Sequence, residues 1–581
     1  MCGFIGRVNN QRSAVAQNVP LATGLRFLGR RGPDSAKHWM SDDGTIELLH
    51  ARLAIVDTDS RAHQPLTDQE RGTTIAFVGE IYNYLELRNE LAEYPFKTRS
   101  DTEVLLALYA LHGLEGLKRL RGMFALAIVD ARLKRVYLVR DPIGKKPLFV
   151  ARWSDGTYFG SSILALASAS RTQPAIQSDL LDQFWKLGHV TPGESLLSNC
   201  FPVLPGQVVE LDWNGEIQTK SSCVPEISSE PAPTDLTEVK AYISHLLAQS
   251  ICRRLINNPN PVCLLSGGID STVIAKHMKL QGAGSAITLG SVIPLHLDEK
   301  YARYAAHRLR LPLQVVRMRV RRFVDDIVWA LDLQDEPLGI MSFLPLALMV
   351  RSAKDYGRVL LTGDGGDEVF LGYGKPEDWT RNAEAVDGQA NGDTIIVGST
   401  LPEWLSSWGR NMLSQSLLGH MLTKLDRATA EQGVEARCAF LDWDLLAFAR
   451  KLRPQQLFFD GQPKALLRGQ LDDWPGWFTQ RPKIGFIYHL RWAWGLRGFT
   501  GLRDLVVREA VDTFEPLLPI ELRKSPQQWE GLAIFHNFSA AWKLLAWSRF
   551  LERLRSTSDS VLDLEPQCST VASLAVDSAV S

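Results

Sequence analysis

Residues 261–280 read PVCLLSGGIDSTVIAKHMKL. The stretch opens with a short apolar run, and apolar residues recur at helical spacing after Asp270. This order predicts a buried strand, a tight turn at Gly267 and Gly268, and then a helix. Two glycines let backbone N–H groups approach an anion closely, and a helix N-terminus adds positive electrostatic potential. The stretch therefore predicts an anion-binding turn.

Three further segments show the same pattern of a short apolar strand that ends in glycine or a polar residue. They are SAITLGS at 285–291, LQVVRM at 313–318 and RVLLTGDGG at 358–366. The segments between them are helical in period. Strands that alternate with helices predict a parallel sheet whose ligand site lies at the carboxyl ends of the strands.

The polar residues of the first turn indicate which anion it binds. Ser266 and Ser271 supply hydroxyl donors, whereas Asp270 would repel a phosphate unless a cation lay between them. A second acidic turn, TGDGGDE at 362–368, follows another predicted strand, and Mg²⁺ is commonly held by one or two carboxylates plus phosphates. Each turn alone could be a simple connection between a strand and a helix. Their pairing on one predicted sheet favours a Mg²⁺-bound pyrophosphate.

The first part of the chain has a different pattern. Up to about residue 210, short alternating or apolar segments are separated by turn residues and interrupted by a helical segment near Glu103–His112. This predicts stacked antiparallel sheets with helices. The Ser, Pro and Glu content of residues 219–235 is typical of a linker, and a long helix is predicted from about Asp235 to about Ile256.

Composition excludes several classes of function. Among 581 residues, 64 Lys and Arg nearly balance 65 Asp and Glu, so no basic surface for nucleic acid is expected. No apolar stretch approaches the ~18 residues needed to cross a bilayer. The seven cysteines are scattered without a CxxC pair, which favours a reducing compartment. We expect a soluble, cytoplasmic protein that binds neither nucleic acid nor membrane.

Cys2 follows the initiator methionine directly. Removal of Met1 would leave a thiol and an α-amino group on one residue. An α-amine titrates near 8 and can act as the base for a nucleophile on the same residue. Without supporting neighbours, an ordinary cysteine would be the simpler interpretation.

The neighbours of Cys2 and of the two glycine-rich turns occur in a recognisable order. The segments are MCGFIG, RRGPDS, LLHARLAIVD, FVGEIYN, SDTEV, CLLSGGIDSTVIA, LLTGDGGDEVFLGY, LDRATAEQGVEARCAFLD and RPKIGF. Together they resemble the glutamine-dependent asparagine synthetases of the class II amidotransferase type, over roughly residues 2–490.

The resemblance implies an α/β protein of two catalytic domains. A glutaminase domain with the αββα sandwich of N-terminal-nucleophile hydrolases would span 1–212, followed by a linker at 213–235. A synthetase domain with a parallel sheet like that of adenine-nucleotide α-hydrolases and a helical C-terminal region would span 236–555. The tail at 556–581 has no clear period and is expected to be disordered.

The resemblance also implies an activity. Cys2 would release ammonia from glutamine, and the ammonia would pass to the second domain. There an acyl-adenylate, made from ATP with Mg²⁺, would become an amide with release of AMP and pyrophosphate. Aspartate is the acceptor in the family, and dimers are common there, so a homodimer is one expectation.

Individual residues take roles from matching positions in the family. In the glutaminase site, Cys2 would attack the amide, the Gly79 N–H would bind the oxyanion, Arg52 would pair with the glutamine carboxylate, and Glu80 and Asp101 would bind its ammonium. The nucleotide would contact Leu265, Ser266, Gly267, Gly268, Asp270, Ser271, Leu289, Thr362 and Gly363. Asp270 and Asp367 would hold Mg²⁺, Lys483 would stabilise charge on phosphate, and Asp364 would assist proton removal.

The chain departs from the family pattern at three places. Val78 replaces an asparagine whose amide helps to form the oxyanion hole, which predicts slowed glutaminase activity. Arg30 replaces a usual histidine. Residues 338–341, LGIM, are more apolar than usual, which suggests a different acceptor carboxylate.

Two alternatives follow from these departures. The enzyme could amidate another carboxylate, such as a sugar acid or a natural-product intermediate, or close a ring with an internal amine. The retained Cys2 argues for external ammonia instead of ring closure. A non-catalytic sensor is disfavoured because Cys2, both glycine-rich turns and Lys483 are all present.

Overall fold

Two six-stranded antiparallel sheets form the first part of the molecule. The computed structural model describes residues 1–9, 21–172, 174–177, 179–228, 230–256, 258, 260–282, 284–290, 297–319, 322–372, 411–457, 462–481, 502, 504–506, 508–509 and 538–557. The predicted tail after residue 557 lies outside these ranges.

The first sheet has the strand order β10-β8-β9-β1-β3-β2 and the second has the order β12-β11-β7-β6-β5-β4. The strands of these two sheets are β1 Gly3–Asn9, β2 Ser35–Met40, β3 Ile46–Arg52, β4 Leu66–Asp68, β5 Thr73–Ile81, β6 Gly122–Asp130, β7 Arg135–Arg140, β8 Phe149–Trp153, β9 Gly156–Gly160, β10 Cys200–Pro202, β11 Gln207–Asp212 and β12 Ile217–Ser222. Helices of this part are α1 Leu25–Leu28, α2 Tyr84–Glu90, α3 Asp101–Gly116, α4 Ile163–Ala169 and α5 Asp179–Leu187.

The two sheets pack face to face with helices outside them. Val78 and Leu138 of the second sheet join Leu48 of the first in one buried apolar cluster. Phe77, the neighbour of Val78 on β5, instead packs with Val104 of α3, because successive side chains on a strand point to opposite faces. Helices α1, α4 and α5 cover the outer face of the first sheet. The layers are therefore αββα, as the resemblance implied.

A five-stranded parallel sheet follows, with the order β15-β14-β13-β16-β17. Its strands are β13 Val262–Leu264, β14 Ser285–Gly290, β15 Leu313–Arg317, β16 Val359–Thr362 and β17 Glu435–Cys438. The helices described after β12 are α6 Leu236–Leu255, α7 Ile269–Leu280, α8 Leu297–Leu309, α9 Phe323–Leu331, α10 Phe343–Ala353, α11 Gly366–Val369, α12 Thr423–Ala430, α13 Trp443–Ala449, α14 Pro454–Leu457, α15 Ala465–Arg468, α16 Gly476–Thr479 and α17 Phe538–Arg555, with a π-helix at Asn411–Leu422.

The predicted long helix is present as α6, where the Asp235 side chain accepts hydrogen bonds from the N–H groups of Thr237 and Glu238. The stretch predicted as a linker differs from expectation. Its first part contains β12, which pairs with β11 and extends the second sheet. Because β12 is an edge strand, its residues can be polar, which is why this part resembled a linker in sequence. The chain leaves the sheet only after Ser222.

Buried charges join the two sheet systems. Arg31 contacts Asp426 of α12 at 3.0 Å, and Lys146 lies 3.6 Å from the same carboxylate. Although burial raises the pKa of Asp426, these two cations hold it down at about 2. Removing one partner of such a pair leaves an uncompensated buried charge, so the contact ties the sheet systems together. Within the described ranges, no helix is both long enough and apolar enough to span a bilayer.

Candidate active sites

Cys2 is held at the end of strand β3. The Leu53 N–H donates to Cys2 Sγ at 3.3 Å, and Arg31 Nε donates to the Cys2 carbonyl at 3.3 Å. Burial raises the pKa of the Cys2 thiol, while the nearby N-terminal amine opposes that shift. A base next to the sulfur is therefore needed to make the thiolate.

Met1 fills the space next to Cys2. Its side chain is buried in the cluster between the sheets, together with Val78, Tyr82 and Ala430. Burial lowers the pKa of the Met1 amine to about 5, so the amine is neutral near pH 7.

A glycine after an apolar run, as at Gly79, is typical of a turn, but the structure has none here. Strand β5 continues through this residue to Ile81, and helix α2 begins only at Tyr84. Gly79 has φ +144°, and a Cβ there would lie 1.9 Å from the Met123 carbonyl oxygen on β6. Glycine is therefore required because the two strands approach each other closely here. In a sequence, a glycine with this role cannot be told apart from a glycine in a turn.

Val78 contributes no polar group to this region. The side chain is fully buried and faces the same layer between the sheets as Met1 and the partly buried Cys2. An asparagine at this position would direct its amide into that layer, since the direction of the side chain is set by the strand. The position fits an oxyanion donor, and valine supplies none.

Glu80 and Asp101 lie beside a buried arginine that sequence reasoning missed. Arg437 of β17 places Nη2 at 3.2 Å from Glu80 and Nε at 2.7 Å from Glu435. The Ile81 N–H donates to Asp101 Oδ2 at 3.2 Å. Burial raises the pKa of Asp101 to about 6 and that of Glu80 well above its usual value. Three buried carboxylates thus surround one guanidinium, a set that suits a second cation such as a ligand ammonium.

Arg52 organises the loop after β3. Its guanidinium donates to the carbonyl oxygens of Val56 and Asp59 at 3.3 and 3.2 Å, and to that of Asp57. Its charge also opposes the rise that burial causes in the pKa of the Cys2 thiol. Arg52 therefore lies in the neighbourhood of Cys2, and its contact with a glutamine carboxylate stays a prediction.

The second site is a cavity of about 480 Å³ at the carboxyl ends of β13 and β16. Most of the predicted nucleotide-binding residues line it, namely Leu265, Ser266, Gly268, Asp270, Ser271, Thr362 and Gly363, together with the predicted acids Asp364 and Asp367. Two predicted residues do not. Leu289 is buried within β14, and Gly267 packs against Tyr301 and Ala302 of α8 with φ +72°.

The two glycine-rich turns meet in this cavity. An added Cβ on Gly363 would lie 3.1 Å from the Asp270 Cβ, so a larger residue there would require the neighbouring turn to shift. Lys464 Nζ contacts Asp270, and it lies 2.6 Å from Asp367 Oδ1. Although burial lowers the pKa of Lys464, the two carboxylates raise it overall. Asp270 and Asp367 therefore converge on one cation position, a geometry that fits two carboxylate ligands of Mg²⁺.

Other cations of the cavity were also missed by sequence reasoning. Arg481 pairs with Asp298 at 2.8 Å and lies over the Tyr301 ring at 4.5 Å. Arg468 and Lys424 line the same cavity. Arg481 is the first residue of the RPKIGF segment, so this motif could have pointed to it. Lys483 of the same segment lies outside the described residues.

The apolar residues at 338–341 do not line this cavity. Leu338 donates its N–H to Gln334 and accepts from Trp542 Nε1 at 2.9 Å, and the Gly339 N–H donates to Gly188 of the first domain at 2.7 Å. Only Ser342, just beyond them, reaches the cavity. These residues pack against α17 and the first domain, and the suggestion that they alter the acceptor stays a prediction.

Comparison with known proteins matches both parts of the chain. Residues 1–221 match a glutamine amidotransferase domain, and residues 242–548 match asparagine synthase. An asparagine synthetase [glutamine-hydrolyzing] 1 of Bacillus subtilis is 30% identical, covering 64% of this chain and 59% of that protein. Asparagine synthetase B [glutamine-hydrolyzing] of Escherichia coli is 28% identical, covering 78% of this chain and 76% of that protein.

An asparagine synthetase [glutamine-hydrolyzing] of Zea mays is 26% identical, covering 90% of this chain and 84% of that protein. Among solved structures, a glutamine phosphoribosylpyrophosphate amidotransferase from B. subtilis aligns with a TM-score of 0.29 and 15% identity over 66% of this chain and 77% of that one. The asparagine synthase match alone spans more than half of the 581 residues. The chain therefore belongs to the asparagine synthase family, as a glutamine-dependent carbon–nitrogen ligase.

Proposed function

We propose that the enzyme transfers glutamine nitrogen to the side-chain carboxylate of aspartate through an acyl-adenylate. The observation that supports adenylation best is the convergence of Asp270 and Asp367 on Lys464, at the ends of two parallel strands. Charges arranged in this way suit a pyrophosphate leaving group with Mg²⁺. The SGGIDS turn also differs from the GxxxxGK[ST] loop of enzymes that cleave only the γ-phosphate.

The first half of the reaction takes place at Cys2. After removal of Met1, the α-amine takes the thiol proton, and the sulfur attacks the glutamine amide carbon. The amine returns the proton to the leaving nitrogen, so that ammonia departs and a thioester remains. Water then cleaves the thioester to glutamate and restores the thiol. Glu80 and Asp101 bind the glutamine ammonium, Arg52 binds its carboxylate, and Gly79 donates to the oxyanion.

The second half takes place at the ends of β13 and β16. An acceptor carboxylate oxygen attacks the α-phosphorus of ATP, and the bond to pyrophosphate breaks. Ammonia attacks the acyl carbon, the bond to AMP breaks, and Asp364 accepts the proton that the nitrogen loses. Ser266, Ser271 and the Gly268 backbone hold the pyrophosphate, while Leu265, Thr362 and Gly363 contact the nucleotide. Lys483 is the proposed cation for charge that develops on phosphate.

Asp270 and Asp367 would hold the Mg²⁺ that the resemblance implies. Bound there, the ion would neutralise negative charge on the phosphates. The protein's own part is to keep both carboxylates close together, which the contact of the two glycine-rich turns achieves.

The test is an assay of the full-length protein with Mg-ATP, glutamine and a panel of carboxylic acids, with AMP, pyrophosphate and product mass as readouts. We expect AMP, pyrophosphate and asparagine in equal amounts. Formation of ADP would exclude adenylation, and an amide formed only from another acid would exclude aspartate.

The matched control is Cys2→Ala with glutamine and with ammonium as nitrogen sources. We expect loss of the glutamine-dependent reaction and retention of the ammonium-dependent one. Equal loss of both reactions would argue against separate glutaminase and synthetase sites.

A further inference from the structure

A separate cavity of about 250 Å³ lies between the first domain and helix α17. The described residues that line it include four arginines. Arg26 of α1 and Arg30 just after it come from the first domain, and Arg549 and Arg553 come from α17. This arginine cavity shares no lining residue with the cavity at the ends of β13 and β16. Neither half of the proposed reaction uses it, so its arginines need another explanation.

Three acids also line the arginine cavity, and each has an arginine partner. Arg549 Nη2 lies 2.8 Å from Asp332 Oδ1, and its Nη1 contacts Glu552. The third acid, Glu431, is buried and lies 3.8 Å from Arg31. The charge of Arg549 is therefore compensated within the protein.

The other three guanidiniums have neutral partners or none in the described part of the chain. Arg26 Nη1 donates to the Ser556 carbonyl at 3.0 Å, and Arg553 Nη1 donates to the Gln334 carbonyl. Within the described ranges, no carboxylate forms an ion pair with Arg26, Arg30 or Arg553. Three positive charges thus border one cavity without an ion-paired acid.

The charges of Arg30 and Arg553 act on each other. Burial lowers the pKa of Arg553 and the charge of Arg30 lowers it further, whereas nearby acids, Glu431 foremost, oppose both effects. Like charges that face one cavity from two separate elements repel each other, and an anion between them would remove this repulsion. The arginine cavity therefore favours a negatively charged ligand.

Arg30 is also the residue that replaces the histidine usual in the family. A histidine is mostly neutral at pH 7 because its ordinary pKa is about 6.5, whereas a guanidinium is always charged. Arg30 is exposed, so its charge does not compensate for a buried acid. The replacement adds a permanent cation at the edge of the cavity, which fits ligand binding better than folding.

The directions of the guanidiniums indicate the class of anion. A carboxylate is planar and can be satisfied by one guanidinium fork, whereas a phosphoryl group has oxygens that point in several directions. Here the cations approach from α1 on one side and from α17 on the other. Among the described lining residues, Phe27 is the one apolar side chain, so there is little surface for a base or a lipid chain. These features favour a small phosphoryl anion.

We infer that Arg26, Arg30 and Arg553 form a binding site for a small phosphoryl anion between the first domain and α17. The anion is shared by the two parts of the molecule, because the first two arginines belong to one part and the third to the other. Arg553 also contacts Gln334, and the neighbouring Asp335 accepts hydrogen bonds at the start of α4 in the first domain. Binding therefore stabilises the contact between the two parts.

The test is a calorimetric titration of the full-length protein with inorganic phosphate and with pyrophosphate, at constant ionic strength and without nucleotide. We expect saturable binding of both anions. We also expect a higher melting temperature at saturating phosphate, since a ligand that binds only the folded state stabilises it. Succinate, a dicarboxylate, should bind at least about tenfold more weakly than phosphate.

The variant Arg30→Gln removes an exposed guanidinium and leaves the buried ion pairs intact. We expect it to weaken phosphate binding at least about tenfold and to reduce the rise in melting temperature. Arg30→Lys keeps the charge and should restore part of the affinity. Arg152→Gln is the matched control, because Arg152 is an exposed arginine of the first domain that pairs with Glu216 outside the cavity. The melting temperature without phosphate reports whether each variant is folded.

The variant Lys464→Met separates this site from the nucleotide cavity, which also has anion-binding turns. Phosphate binding that Lys464→Met retains and Arg30→Gln loses supports the inference, as do two binding phases of which each variant loses a different one. Binding that is lost in Lys464→Met and unchanged in Arg30→Gln would assign the phosphate to the nucleotide cavity and overturn the inference.

Three further results would also overturn it. They are the absence of saturable binding of both phosphate and pyrophosphate, an equal effect of Arg30→Gln and Arg152→Gln, and succinate binding as tight as phosphate binding. The second would show general electrostatic attraction, and the third would exclude selection of a phosphoryl group.

Discussion

Arg437 Nη2 lies 3.2 Å from Glu80 Oε2, so a strand of the synthetase sheet contacts a residue proposed to bind glutamine. The same guanidinium donates to the Arg254 carbonyl at 2.6 Å, and it is completely buried. Strand β17 also pairs with β16, which leads into the acidic turn of the nucleotide cavity. One strand therefore contacts both candidate active sites.

We predict that Arg437→Lys raises the KM for glutamine about tenfold. Lysine keeps the positive charge but lacks the planar fork by which the guanidinium reaches Glu80, Glu435 and the Arg254 carbonyl together. Ammonium-dependent synthesis should change much less, because its substrates bind in the other cavity. Steady-state assays with the two nitrogen sources check this. An equal decrease with both would show that the arginine only stabilises the fold.

We predict that Val78→Asn raises the kcat of glutamine hydrolysis by up to about 10²-fold. The substitution places an amide donor in the layer that contains Cys2, and one oxyanion donor typically contributes 10²–10³ in rate. Because Val78 is fully buried among apolar residues, the variant should also lose about 1–3 kcal/mol of stability. Glutamate release and thermal unfolding measure the two effects.

Val78→Leu is the matched control, since it changes the packing without adding a donor. It should not accelerate hydrolysis. If Val78→Asn also leaves the rate unchanged, another group already occupies the role of the missing amide.

We predict that Lys464→Met raises the KM for Mg-ATP by about 10- to 100-fold. The change removes the cation shared by Asp270 and Asp367 and leaves two carboxylates facing the phosphates. Activity should then require more Mg²⁺, because the ion must compensate for both acids. Titrations of ATP and Mg²⁺ in the ammonium-dependent assay measure this, with Lys464→Arg as the variant that retains the charge. An unchanged KM for ATP would place Lys464 outside the binding step.

We predict that kcat/KM for glutamine falls as the pH decreases through about 6. Burial raises the pKa of Asp101 to about 6, so its carboxylate is protonated below that pH and ionised above it. Only the ionised form attracts the glutamine ammonium, and kcat/KM reports the ionisation of the free enzyme. In Asp101→Asn this inflection should disappear and kcat/KM should be low throughout. A profile of Asp101→Asn that keeps the inflection would assign it to another group.

Much of the fold could be predicted because it is encoded locally. A short apolar run, two glycines and a helical period were enough to place β13, the SGGIDS turn and α7. Gly79 shows the limit of such reasoning. A glycine after an apolar run is typical of a turn, yet here its missing side chain allows β5 to approach β6.

The candidate sites were predictable only in part, for the same reason. The amino-acid sequence by itself determined the antiparallel and parallel sheets, and which turns carry carboxylates and hydroxyls, because these follow from short-range period and backbone preference. The αββα order of layers was implied by the family resemblance. Only the tertiary structure decided that Arg437 meets Glu80, that Lys464 joins Asp270 and Asp367, and that Arg30 and Arg553 line one cavity. These residues lie more than 90 positions apart, and only the packing of the chain sets such distances.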